Sequence, residues 1–322
     1  MSMDAEMIAD RRRLRRKLSF WRVLGVLAAI AAVVAIGATL AGRAPFSEGQ
    51  RQIARISVDG FIAGDQRMTD LFKRVGEARH VSGVVISVNS PGGTTTGSEE
   101  LFRGIRDLSG KKPLVAFLDG TAASGGYITA MAADHIVARE TSLVGSIGVI
   151  VQYPDLTKLM TTLGIDVEEI KSAPLKAAPS PFQPTSPEAR AALQQVVNDT
   201  YEWFKRLVAE RRKLDEAELA AVSSGRVFNG RQSVGLKLVD ELGGEREAVA
   251  WLEREKKVAK DLPVREWKPR SSRDFDLWTF AGIGADVLGF DRLGEALRRA
   301  SASARVANLD GLLAVWHPSL EK

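Results

Sequence analysis

Two nearly uninterrupted apolar runs constrain this chain most, Val84-Val85-Ile86-Ser87-Val88 and Pro113-Leu114-Val115-Ala116-Phe117-Leu118. A run that is apolar on both faces suits a strand buried in a parallel sheet, not one with a solvated side. Each run is followed by a turn of small residues and then by a helix-like segment. Parallel neighbours need a crossover between them, and a helix usually supplies it. The pattern predicts an α/β architecture with a parallel sheet.

The alternation extends along the chain. Ile53 to Val58 reads as a strand and Met68 to Ala78 as an amphipathic helix. Asn89-Ser90-Pro91-Gly92-Gly93 reads as a turn, with a helix from Gly97 to Leu108 after it. A short strand is expected over His135 to Ala138, and Gly145-Ser146-Ile147-Gly148-Val149-Ile150 begins another apolar run. Asp155 to Leu163 looks helical and Val167 to Ile170 strand-like. A proline-rich loop then leads to a long helix, Pro187 to Lys213, with Ser186 as its cap and Pro187 at its first position. On that helix Val196, Val197, Phe204 and Val208 are available to face a partner. Past Lys260 the pattern weakens.

Charge is concentrated at one end. Of 45 basic and 40 acidic residues, seven cations and three anions lie within residues 1–22, which leaves 38 against 37 afterwards. The nearly neutral body argues against a nucleic-acid surface. From Val23 to Gly42 no residue is charged. Those 20 residues reach about 30 Å as a helix, the thickness of a bilayer's hydrocarbon core. The basic segment before them is expected to stay cytoplasmic, so the body lies across the membrane. A cleavable signal peptide is the competing reading, with Ala38-Thr39-Leu40-Ala41 near a possible cleavage point. The absence of cysteine fits either side of a membrane.

Thr121-Ala122-Ala123-Ser124-Gly125-Gly126-Tyr127 joins the Leu114 strand to Ile128–Ala133. A serine at such a turn can present its hydroxyl beside unpaired helix N–H groups that suit an oxyanion. The plainer reading is a helix cap. A serine nucleophile needs a base, and the chain holds only His80, His135 and His317. His135 follows Asp134, but neighbours on a strand point to opposite faces, so a Ser-His-Asp triad is disfavoured. Lysine is the other base used with serine. It must be neutral, so its pKa has to fall from about 10.4 toward 7–8. Lys176 has no other charge around it between Lys171 and Glu188, whereas Lys205 and Lys256 belong to charge-rich faces. An exposed loop lysine is the plain alternative for Lys176.

Ser90-Pro91-Gly92-Gly93, Ala123-Ser124-Gly125-Gly126-Tyr127, Gly145-Ser146-Ile147-Gly148-Val149 and the lysine segment follow one another here in the order and spacing of a known family. In these motifs the chain resembles the signal peptide peptidase A family, bacterial membrane-anchored serine–lysine peptidases of the Clp protease/crotonase fold. The similarity runs from about Ile53 to Trp267 and includes Ser224 to Gly230 and Val239 to Gly244. With one anchor and one catalytic unit, the chain looks like the short form.

The resemblance implies repeated β-β-α units with a parallel sheet, preceded by one N-terminal transmembrane helix. It implies Ser124 as nucleophile, Lys176 as general base and Ser146 as the hydroxyl orienting the lysine. Gly93 and Gly125 would be the oxyanion donors, with no metal and no other cofactor. Family members commonly carry a Gly-Lys-Tyr-Lys-like segment at the base, where this chain has Ala173-Pro174-Leu175-Lys176. Lys171 is the nearby substitute. The implied substrates are remnant signal peptides and other unfolded segments. The implied partners are the bilayer and further copies in a ring or dome, an octamer being one form, with no nucleic acid. The implied location is the bacterial inner membrane, with the catalytic domain on the periplasmic side.

The expected organisation is a basic terminus (1–22), an anchor (23–42), a linker (43–52), a serine peptidase domain (53–270) and a partly ordered tail (271–322). Two other classes share such a fold: a non-catalytic membrane scaffold, and a coenzyme-A-linked hydratase or isomerase.

Overall fold

The computed structural model describes Trp21, residues 50–269 and the strand Leu313–Val315. The basic terminus, the 23–42 segment, residues 43–49 of the linker, His317 and the rest of the tail lie outside the described residues. Among the described residues, no helix is long and apolar enough to cross a membrane. The chain divides into two units, 1–50 and 51–322, and the fold below is that of the second.

Its centre is three long parallel strands, β1 (Gln52–Ile62), β2 (Val81–Thr94) and β3 (Leu114–Ala123). The two apolar runs form the middle of β2 and the start of β3, and both are buried. β8 (Val264–Glu266) adds a parallel strand on the far edge of β1.

At the other edge the sheet forks. Ala116–Leu118 of β3 pairs with β4 (Ile136–Ala138), while Thr121–Ala123 pairs with β5 (Leu143–Gly145). β4 leads on to β7 (Glu241–Leu242), and β5 to antiparallel β6 (Val227–Asn229). Ser124 follows directly where this fork opens. A ninth strand, β9 (Leu313–Val315), runs antiparallel to Gly92–Thr94 at the end of β2.

Helices cover both faces. Successive strand residues point to opposite sides, so Val84, Ile86 and Val88 join one core with Leu71 and Val75 of α1 (Gln66–Glu77) and Leu101 and Ile105 of α2 (Thr95–Ser109). Val85, Val115 and Phe117 join the other with Trp251 and Leu252 of α8 (Glu245–Glu255). Each fully buried Val, Leu or Ile contributes about 1.5–3 kcal/mol, which fixes the strands that carry the site. α3 (Gly125–Ala130) is wholly buried. α4 (Thr157–Leu163), α5 (Pro187–Arg212), α6 (Glu216–Val222) and α7 (Gly230–Gly235) complete the set.

α5 starts as its sequence directs: Ser186 accepts from the Ala189 amide at 3.1 Å, with Pro187 in the first turn. Three expectations are corrected. Phe204 and Val208 of α5 sit in the core and face no partner, while Val196 is exposed. Asn89–Gly93 is no turn but the bulged continuation of β2, because Phe61 and Ile62 of β1 pair with Gly92 and Gly93. Val167–Ile170 is not a strand: it pairs with no other segment among the described residues, and Ile170 is fully exposed.

Candidate active site

Ser124 occupies a backbone conformation that few residues other than glycine adopt, φ 54° and ψ −116°. Such a conformation costs about 1–3 kcal/mol and persists only where the surroundings impose it. Two constraints do so here. The Ser124 amide donates to the Gly145 carbonyl at 2.7 Å, and its carbonyl accepts from Tyr127 and Ile128 at 2.9 and 3.0 Å. The side chain makes no capping hydrogen bond to α3. The plain cap reading therefore fails, and Ser124, itself buried, sits at a sharp strand-to-helix turn with its hydroxyl not spent on the helix. Gly125 and Gly126 open α3, where amides lack intrahelical acceptors.

The end of β2 lies against this turn. Ser90 pairs in register with Ala122, and a Cβ on Gly126 would come within 2.5 Å of the Ser90 carbonyl oxygen. The Ser90 hydroxyl donates to the Gly60 carbonyl at 2.6 Å and accepts from the Gly92 amide at 3.0 Å, which pins the bulge. Gly93 is required by contact: a Cβ there would sit 1.9 Å from the Ile62 carbonyl oxygen. β1 pairs along Gly92 and Gly93, while β9 pairs along Gly92 to Thr94, with Ala314 opposite Gly93. An extended chain thus fits antiparallel beside the glycines.

Ser146 follows Gly145, which pairs with Ala123, the residue before Ser124. It too has positive φ, 50°, and its amide donates to the Arg226 carbonyl at 2.8 Å. Two serines at positive φ therefore directly follow the paired ends of β3 and β5.

Lys176 makes no hydrogen bond with either of them. It is exposed in a turn where its amide donates to the Ala173 carbonyl at 3.0 Å. Among the described residues its ammonium makes no hydrogen bond or ion pair. Lys171, the substitute, is paired with Glu169. That carboxyl also accepts from the Ser180 hydroxyl at 2.9 Å, and it is held below the usual carboxylate range, first by Lys171 and then by Ser180. The segment carrying these lysines displays Ile150, Leu159, Leu163, Ile165, Ile170 and Leu175 to solvent, and α4 within it buries no residue.

His80 and His135 stay out of the site. His135 precedes β4 and lies level with Ala116, at the opposite end of β3 from Ser124. It stacks on Trp251 at 4.6 Å and approaches Glu241 at 3.3 Å and Asp240 at 3.7 Å. His80 lies just before β2, likewise away from Gly93, and stacks on Trp267. Tyr127 is buried beneath the turn and donates to the Leu238 carbonyl at 2.8 Å. Burial pushes its phenol well up, so it stays neutral and is no base. Among the described residues, no group of three or more His, Cys, Asp or Glu could hold a metal ion.

Sequence reading missed the part played by Glu169 and Ser180, which carry no motif, and the pairing of β9, whose short apolar segment has no turn signals of its own. The available arrangement is a strained serine, a second serine past the end of the paired strand and glycine backbone close by, which suits acyl transfer.

Comparison with known proteins agrees. The model of the family described as Peptidase family S49 matches residues 106–259. A relative from Synechocystis sp. carrying a protease name is 37% identical over 210 residues, 64% of this chain and 76% of its own length. A relative from Enterococcus faecium carrying the name signal peptide peptidase SppA is 34% identical over 235 residues, 68% of this chain and 67% of its own length. Among solved structures, a ClpP1 variant from Listeria monocytogenes superposes with a TM-score of 0.40 and 14% identity, covering 61% of this chain and 94% of that one, too loosely to carry an argument.

Proposed function

The chain belongs to peptidase family S49, and from that premise we propose that it is a membrane-anchored serine endopeptidase working with a Ser124–Lys176 dyad. The observation that carries this reading is the strained Ser124, whose hydroxyl is not spent on capping α3. In the proposed reaction the Ser124 hydroxyl attacks a peptide carbonyl as the Lys176 amine takes its proton. The amides of Gly93 and Gly125 hold the oxyanion, and Ser146 orients the lysine. The lysine returns the proton to the leaving amine, and water then hydrolyses the acyl-enzyme. An extended substrate would pair with Gly92–Thr94 as β9 does, so it has to displace that strand.

The exposed ammonium of Lys176 and the apolar side chains around it support a second element of the reading: the lysine meets Ser124 across an interface between copies. Burying those side chains against a neighbour would stabilise a ring or dome and exclude water from the amine. Substrates are proposed to be remnant signal peptides and other unfolded segments, met at the inner membrane on its periplasmic side. Val23–Gly42 would be the anchor. Repeated units of the Clp protease/crotonase type belong to the same reading.

The test uses full-length enzyme with Ser124→Ala or Lys176→Ala. Each variant should be inactive on an unfolded protein such as casein, and co-assembly of the two should restore part of the activity. Turnover by Ser124→Ala alone at the wild-type rate would remove the proposal.

A further inference from the structure

Residues 171–180 form a loop with no packing of its own. Residues 172 to 177 are all exposed, and the only backbone bonds inside the loop are two tight turns, from the Lys176 amide to Ala173 and from the Ala178 amide to Leu175. What closes the loop is a single carboxylate. Glu169 takes the Lys171 ammonium on Oε2 and the Ser180 hydroxyl on Oε1, so the residues at the loop's two ends meet on one side chain. The Oε2 atom is shut off from solvent, and a buried carboxylate oxygen is costly unless a cation answers it. Ser180 is itself buried and its hydroxyl also accepts from the Phe182 amide at 3.3 Å. The base of the loop is therefore tied to the body of the arm, while its tip hangs free.

We propose that Glu169 is a positioning residue: by clamping Lys171 and Ser180 together it fixes where Lys176 projects. The inference rests on the reading of Lys176 as the base. It gives Lys171 a role distinct from Lys176, since a side chain committed to Glu169 is not free to reach a serine. A displacement of about 1 Å at a catalytic group costs up to 10²-fold in rate, so loosening the clamp should reach the chemistry without touching substrate binding.

The experiment measures kcat and KM on an unfolded substrate for the full-length enzyme carrying Glu169→Gln, Lys171→Met, both together, and the exchange Glu169→Lys with Lys171→Glu. Each single change is expected to lower kcat about tenfold with KM held within about twofold, and the pair to be no worse than either alone, as for residues acting as one unit. The exchange rebuilds the ion pair and should recover most of kcat, while a merely structural loss of arm stability would instead show as a melting temperature that falls in step with kcat across the singles. Should Glu169→Gln fail to fold, Lys171→Met breaks the same pair from its other side. Unchanged kcat in both singles while Lys176→Ala is inactive overturns the clamp and leaves the base reading standing. Additive losses, or losses that the exchange does not repair, overturn it as well. Full activity of Lys176→Ala removes the base reading and the clamp with it.

Discussion

The amide of Ser124 donates to the carbonyl of Gly145 at 2.7 Å, which locks the first residue past β3 to the last residue of β5. This bond, with those from the Tyr127 and Ile128 amides to the Ser124 carbonyl, holds Ser124 at positive φ. The strain predicts an ordering of variants. Ser124→Gly should be more stable than Ser124→Ala by about 1 kcal/mol, because glycine adopts this conformation without a Cβ penalty. Both should lack activity. Urea unfolding checks the order, and equal stabilities would mean that the backbone is unstrained.

Gly93 is specified by contact. A methyl at Gly93 meets backbone, the Ile62 carbonyl oxygen, which has no flexible end to give way. Gly93→Ala should cost about 3 kcal/mol or more by forcing β1 and β2 apart, and should abolish turnover. Denaturant midpoints and turnover measure the two effects. Near-wild-type values in both would contradict the pairing of Ile62 with Gly93.

Tyr127 is the opposite case, a buried hydroxyl with a purely structural duty. Tyr127→Phe leaves the buried Leu238 carbonyl without its donor, at a cost of about 1–3 kcal/mol. The pH dependence of turnover should keep its shape, since burial keeps this phenol neutral. A basic limb that moves in the variant would show that Tyr127 takes part in proton transfer.

Several carboxyls lie below their ordinary range: Glu169 through Lys171, Glu218 through Lys237, and Glu247 through the Gly244 amide. A carboxyl with a depressed folded value contributes stability above its unfolded value and loses it as pH falls through the folded one. The melting temperature should therefore drop as pH falls below the ordinary carboxylate value of about 4, and Glu218→Gln should lessen that drop. Melting curves from pH 7 to 3 test this, and a midpoint that rises on acidification would contradict it.

The sequence was readable where one physical demand dominates a segment. Val84–Val88 and Leu114–Leu118 are apolar on both faces and became central parallel strands. Ser186 and Pro187 started α5 as expected. Reading failed where partners decide. Asn89–Gly93 has turn composition, yet β1 pairs alongside it and draws it into the sheet. Val167–Ile170 has strand composition but pairs with no strand among the described residues. Phe204 and Val208 follow a helical stripe whose facing surface, the core, could not be told from a partner. At the site, Ser124 and Ser146 were singled out by motif, and each directly follows a residue of the Ala123–Gly145 pair. The position of Lys176 was not readable, because its surroundings are set by residues distant from its motif and by whatever covers the exposed arm.

The most direct measurement is the mass of the full-length protein after treatment with a fluorophosphonate, followed by mapping of the labelled residue. The account predicts one adduct per chain, on Ser124, formed at least a hundredfold more slowly in Lys176→Ala, the scale of a lost general base. An unlabelled Ser124, or labelling that Lys176→Ala leaves at the wild-type rate, would contradict it.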